Sequence, residues 1–118
     1  FTAANMEDAN ADYGSFKGAS FAGATMSNLD GDYGHFNKAD LSDAVLEGAD
    51  LSYARMKGAD LSRANFEGAD LSFAGLRGST GFQSATCSGA TFDFMTCPSG
   101  TSVGVLRTAC DPGESCAA

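Results

Sequence analysis

Residues 39–72 read ADLSD AVLEG ADLSY ARMKG ADLSR ANFEG ADLS, so that Ala39, Ala49, Ala59 and Ala69 each stand two places before Leu41, Leu51, Leu61 and Leu71. Followed outward in steps of five, the leucines extend into one column: Phe1, Met6, Phe16, Phe21, Met26, Phe36, Leu41, Leu46, Leu51, Met56, Leu61, Phe66, Leu71 and Leu76. Only Ala11 and Gly31 break it. The alanines extend into a second column of small residues from Ala4 to Ser79, whose one large member is Leu29. Eighty residues, Phe1 to Thr80, therefore divide into 16 pentads. Self-similarity this regular decides the architecture ahead of any local propensity. The helical period of about 3.6 would scatter the large residues around an axis, and the strand period of about 2 would send successive ones to opposite faces. A chain that turns a corner every five residues instead offers one large and one small side chain per repeat to a common interior, which makes a solenoid.

The tetrads Ala39-Asp40-Leu41-Ser42, Ala49-Asp50-Leu51-Ser52, Ala59-Asp60-Leu61-Ser62 and Ala69-Asp70-Leu71-Ser72 resemble the pentapeptide-repeat family. The resemblance implies an all-β fold, a right-handed quadrilateral β-helix with four pentapeptides to a coil and the Leu or Phe and Ala columns pointing inward. A periodicity independent of the motif agrees: Tyr13, Tyr33, Tyr53 and Phe73 recur at steps of 20, which places them one above another on a single face. Their spacing is expected to be about 4.8 Å, and four coils rise roughly 20 Å. Beyond Thr80 the register slips by one, with Gly81 as the inserted residue and Phe82, Cys87, Phe92 and Cys97 in the central column. Thr80, Ala85 and Ala90 stand behind the first three, and Phe94 then continues the aromatic column into a fifth, partial coil. The expected organisation is a β-helix of four to five coils over residues 1–98 and a C-terminal cap over 99–118, where the repeat is lost among Pro98, Gly100, Gly104, Pro112 and Gly113. A solenoid end exposes unpaired backbone and an open core, so a cap is needed, and Val103 to Cys110 is expected to supply a short helix for it.

A chain of 118 residues is one domain, which excludes a two-domain enzyme. Its net charge of -8 opposes binding to nucleic acid or anionic lipid, and no apolar run reaches the roughly 20 residues of a membrane-spanning helix. The chain starts at Phe1, in register and without a methionine, so an upstream segment is expected to be missing. The first coil then requires cover from those residues or from another chain, which makes that end a place for self-association.

All four cysteines, Cys87, Cys97, Cys110 and Cys116, lie in the last third, and their spacings of 10, 13 and 6 match no usual zinc signature. Disulfides are the better reading, and they imply an oxidising compartment. Cys87 and Cys97 fall on opposite faces of one coil, beyond the roughly 7 Å that a bridge spans, so each is expected to pair with a tail cysteine. Which one is left open by spacing. The stretch Thr96-Cys97-Pro98-Ser99-Gly100-Thr101 resembles tails of exported family members, and this resemblance implies Cys97 with Cys110 and Cys87 with Cys116.

No constellation for catalysis, metal or cofactor stands out. The one histidine, His35, occupies the position before a central Phe and reads as a member of an outward column between Ser15 and Arg55. Asp40, Asp50, Asp60 and Asp70 recur every ten residues beside turns, where short polar side chains bond to local backbone. Glu7, Ser27, Glu47 and Glu67 form an acidic stripe, and Lys17, Asn37, Lys57 and Arg77 a basic one two faces away. The sharper candidate is the aromatic column Tyr13, Tyr33, Tyr53, Phe73 and Phe94, because rings exposed in a strip mark contact surfaces as well as stabilising neighbouring strands.

Two functions follow. The first is a non-catalytic structural or protein-binding scaffold that docks a protein partner through the aromatic face. Resemblance to exported members, including those of the thylakoid lumen, implies a thylakoid-lumen, periplasmic or extracellular setting and a photosynthetic membrane complex among the partners. The second, implied by resemblance to members that mimic DNA, is an inhibitor of a type II topoisomerase. Against it, the acid is shared among several faces and interrupted by the basic stripe, about 20 Å of coil is short for imitating a duplex, and disulfides fit poorly with a cytosolic target.

Overall fold

Every pentad of the computed structural model, which describes residues 1–101, closes a turn. The Ala4, Ala9, Gly14 and Ala19 amides donate to the Phe1, Met6, Ala11 and Phe16 carbonyls at 3.0–3.1 Å. Outside the turns Phe82–Ala85 and Cys97–Gly100, the third residue of each turn has positive φ, as at Tyr13 (55°), Gly18 (70°) and Asp43 (56°), and the second does not. That pattern identifies type II turns. Four of them bring the chain round a square coil of 20 residues.

Each side of the square is too short for a strand. Successive coils meet through isolated parallel bridges of one residue each, such as Asn5 to Thr25, Thr25 to Val45 and Val45 to Asn65. The expected all-β architecture is thus a β-helix of single-residue bridges, without longer strands among the described residues. The turns consume the rest of each pentad and leave nothing more to pair.

The backbone accounting explains the motif. Of the five amides in a pentad, one closes the turn, one donates to the coil before and two donate to the coil after, as Ala44, Val45, Leu46 and Gly48 do toward Leu41, Ala24, Asn65 and Glu67. The fifth, just after the central residue, has no carbonyl to meet. Where Asp or Asn stands two places back, its side chain accepts it: Asp40 from Ser42 at 3.0 Å, Asp50 from Ser52 at 2.9 Å, Asp60 from Ser62 at 3.0 Å and Asn65 from Glu67 at 2.9 Å. The serine hydroxyls at 42, 52 and 62 donate to the same carboxylates at 2.6 Å.

The two inward columns form one core in which Phe21, Met26, Phe36, Leu46, Met56, Phe66 and Leu76 are at most 1% exposed. Burial of each such side chain stabilises by about 1.5–3 kcal/mol. The breaks in the columns are exchanges of volume. Leu29, buried in the small column, fills the space that Gly31 leaves in the large one, and a Cβ on Gly31 would lie 3.3 Å from Leu29 Cδ2 and 3.2 Å from Leu51 Cδ2. Met95 and Cys97 make the same exchange in the last coil, both fully buried. Gly34 gives way to the Phe36 ring, whose Cε2 would stand 2.5 Å from an added Cβ.

After Thr80 the bridge step changes from 20 to 21: Asn65 pairs with Thr86, Asp70 with Thr91 and Gly75 with Thr96. The extra residue is absorbed in a 3-10 turn, Phe82–Ser84, entered through Gly81 at φ 76°. An added Cβ at Gly81 would collide with the Ser62 backbone. The last coil closes on itself where the Cys97 amide donates to the Thr101 carbonyl at 2.8 Å. Among the described residues no cysteine is free. Apart from residues 99–101, the cap expected over 99–118 lies outside the described residues, as do the helix expected at Val103 to Cys110 and the cysteines Cys110 and Cys116.

Candidate functional site

The aromatic column occupies the third position of one turn, where the backbone is left-handed: φ is 55° at Tyr13, 56° at Tyr33, 59° at Tyr53, 61° at Phe73 and 56° at Phe94. This conformation costs a residue other than glycine about 1–2 kcal/mol. It also aims each side chain away from the corner, directly above the one a coil below. The rings stack with centroids 5.0, 4.7, 4.6 and 5.1 Å apart, and the first three pairs are within 2° of parallel. Each of the four contacts contributes about 0.5–1.5 kcal/mol, which offsets part of the backbone cost. Outward the rings stay open, from 39% exposed at Tyr33 to 69% at Tyr13. The structure thus brings all five predicted residues into one continuous strip.

The two sides that meet at this corner are electrically opposite. On the side before it the bridging residues are Asn10, Asp30, Asp50, Asp70 and Thr91, with Asp12, Asp32 and Asp93 on the turn itself. Partial loss of hydration, a hydrogen bond with Asp30 and the charges of Asp30, Asp50 and Asp12 push the Asp32 carboxyl above its ordinary range. Reduced hydration, the adjacent Tyr53 and Tyr13 phenols and Asp32 push the Tyr33 phenol up, so it keeps its proton and remains a donor. On the side after the corner the bridging residues are Ser15, His35, Arg55, Gly75 and Thr96. His35 and Arg55 line an open groove of about 460 Å³ whose other wall is Tyr13, Tyr33, Tyr53 and Phe73.

The next corner carries a second groove, of about 450 Å³, lined by Lys17, Asn37, Lys38, Lys57 and Arg77. Five of the seven Lys and Arg in the chain therefore lie on one side of the prism or its far corner, on a protein of net charge -8. Lys38 escaped the sequence reading because it stands one place past the basic stripe, in a column otherwise held by Gly18, Gly58 and Gly78. A second omission is Arg63, whose Nε and Nη2 each donate to the Asp43 carboxylate at 2.8 Å from one coil above. The hydrogen bond from Arg63 holds Asp43 below the usual carboxylate range. The signal was their separation of 20 residues, the same that revealed the aromatic column.

His35 bridges Ser15 and Arg55 on its side of the prism. No group of metal-ligating side chains occurs among the described residues, and no described helix is long and apolar enough to cross a membrane.

Solved structures resemble this architecture. A pentapeptide repeat protein from the cyanobacterium Cyanothece 51142 superposes with a TM-score of 0.61 at 25% identity, over 77% of this chain and 58% of that one. QnrB1, a plasmid-mediated fluoroquinolone resistance protein, matches with a TM-score of 0.39 at 21% identity, over 80% of this chain and 49% of that one. A pentapeptide repeat protein of the Arabidopsis thaliana thylakoid lumen matches with a TM-score of 0.33 at 23% identity, over 76% and 66% of the two chains. The chain spans little more than half the length of the first of these. No curated protein matches it. Eight copies of the family described as Pentapeptide repeats match residues 1–30 and 39–80, so with the square coils, the paired inward columns and the Asp-capped turns in place, the chain belongs to the pentapeptide repeat family.

Proposed function

We propose that this chain is a non-catalytic protein-binding module that docks a protein partner through the corner formed by Tyr13, Tyr33, Tyr53, Phe73 and Phe94. The single observation that carries this reading is the ladder itself: five stacked rings, 39–69% exposed, fixed on a backbone that cannot turn them inward. A rigid strip of rings loses little conformational freedom on contact, which is the property of a preorganised surface. Members of the family are generally structural repeat proteins without enzymatic activity, which agrees. The duplex-mimic reading is disfavoured by the concentration of five basic residues on one side.

The test is photo-cross-linking in the native host. A photoreactive phenylalanine analogue at position 53, which preserves the stack, is expected to yield a protein adduct of one defined mass. The same analogue at position 67, on the acidic corner, is expected to yield none. Equal labelling from both positions, or no adduct from position 53, overturns the reading. A supercoiling assay with a type II topoisomerase addresses the mimic, and inhibition there would reinstate it.

The setting we propose is an oxidising compartment, such as the thylakoid lumen, the periplasm or the extracellular space. Support comes from Cys87 and Cys97, both buried and neither free, with Cys110 and Cys116 in the same third of the chain. The pairing proposed is Cys97 with Cys110 and Cys87 with Cys116. Intact mass before and after reduction, with mapping of linked peptides, tests it: two disulfides are expected, and four free thiols would remove the inference.

A further inference from the structure

The ladder corner separates an acidic side from a basic one, and this arrangement selects a partner. A two-fold axis running parallel to the prism axis, just outside the corner, would bring the ladder of one copy against the ladder of another. The same rotation sets the acidic side of each copy opposite the basic side of the other, rung for rung. Asp50 then faces Arg55 and Asp30 faces His35, the uncharged Asn10 faces Ser15 and Thr91 faces Thr96, and among the carboxylates only Asp70 meets a residue without a basic side chain, Gly75, since each such pair shares a coil. A two-fold perpendicular to the prism axis does the opposite and sets carboxylates against carboxylates. Symmetric pairing of like chains is the commonest form of assembly, and it requires a surface that complements itself in this way.

We propose that the protein pairs side by side with a second copy of itself, parallel and in register, ladder against ladder, with Asp50 of each copy facing Arg55 of the other. The inference rests on the reading of the ladder as a docking surface and names its occupant. Two observations support it besides the matching rungs. The carboxylates of Asp12, Asp30, Asp32 and Asp50 crowd one another beside the ladder, and the basic side of a second copy would relieve that repulsion. Arg55 has no ion-pair partner of its own among the described residues, where the one salt bridge joins Arg63 and Asp43. The contact spans five rungs of about 4.8 Å, so the pair is small and its formation depends on concentration.

Sedimentation equilibrium across concentrations up to millimolar tests this. The unaltered protein is expected to shift from monomer to dimer. Arg55→Asp sets aspartates against aspartates in a symmetric pair and Asp50→Arg sets arginines against arginines, so each variant alone is expected to dimerise at least about tenfold more weakly. An equimolar mixture of the two restores both opposite-charge contacts and is expected to dimerise as the unaltered protein does. Both positions are exposed, and thermal melts verify that each variant is folded. Three results overturn the proposal: an unaltered protein that stays monomeric throughout, a dimer indifferent to either reversal, or a mixture that remains monomeric. An adduct from position 53 to a different protein, alongside a monomeric chain, would sink this inference while leaving the docking reading in place.

Discussion

The ladder corner and the corner that follows it hold the same backbone in opposite ways. Tyr13, Tyr33, Tyr53, Phe73 and Phe94 sit at φ between 55° and 61°, and Gly18, Gly58 and Gly78 sit at 70° to 72° in the equivalent turn position. Glycine removes the steric problem locally, one residue at a time, at the cost of greater freedom in the unfolded chain. The aromatic residues keep the strain and offset it against one another, so each depends on the rings above and below. Stability at the first corner is therefore collective and at the second it is local. Phe94, in the coil after the register slip, is tilted 22° from Phe73, whereas the four rings before it lie flat on one another.

The largest expected effect tests whether any turn position tolerates a Cβ without compensation. Gly81→Ala places one in the left-handed region and against the Ser62 backbone, 2.6 Å from its Cα, with no stack to offset it. A loss of about 3 kcal/mol is expected from combined strain and overpacking, read as a lower denaturant midpoint. An unchanged midpoint would mean that the 3-10 turn relaxes freely.

Next, Tyr33→Ala with Tyr53→Ala removes three ring contacts and leaves the backbone strained, for about 2–3 kcal/mol. Tyr53→Gly alone removes two contacts but also relieves strain at its own φ of 59°, so about 1 kcal/mol is expected. If Tyr53→Gly proves as costly as Tyr53→Ala, strain is not what the rings offset. At the glycine corner, Gly58→Ala meets nothing closer than Lys38 Cγ at 3.6 Å. Its expected cost is conformational alone, about 1 kcal/mol, and larger losses would contradict the open space there.

The smallest effects are electrostatic and opposite in sign. The raised Asp32 carboxyl binds its proton more tightly in the folded state, so its contribution is fully present below its unfolded value and is lost as pH rises through the folded one. The depressed Asp43 carboxyl contributes above its unfolded value, and that stability is lost as pH falls through the folded one. Near neutral pH, Asp32→Asn is expected to raise the melting temperature and Asp43→Asn to lower it. Both differences should vanish well below the ordinary carboxylate value of 3.8. Shifts of the same sign would show that the crowded carboxylate at the ladder corner and the paired one at the opposite corner do not differ in this way.

Much of this comparison was legible in the sequence because a solenoid converts spacing into position. Steps of five located the core, and steps of 20 located the ladder before any coordinate was known. What stayed hidden depended on contacts between columns. Gly31 and Leu29 stood out as separate irregularities, although they are one exchange of volume across the core. The pairing of Arg63 with Asp43 was equally available at a step of 20, but a single charge pair carries less signal than five rings in line. The left-handed backbone under the ladder had no signal at all, since tyrosine and phenylalanine are not residues that announce it.

The backbone accounting also governs how such a chain can change in length. Every coil satisfies its neighbours through the same three amides per pentad, so a block of 20 residues can be removed or duplicated and the cut ends rejoin an identical seam. Deletion of one pentad keeps every turn and every buried column, yet it rotates all later residues by a quarter turn. Removing five residues between Tyr53 and Phe73 would leave the core closed while moving Phe73 and Phe94 onto the adjoining corner. The core therefore tolerates edits in units of five, whereas the outer surface keeps its pattern only in units of 20, and a dial with four settings separates folding from recognition.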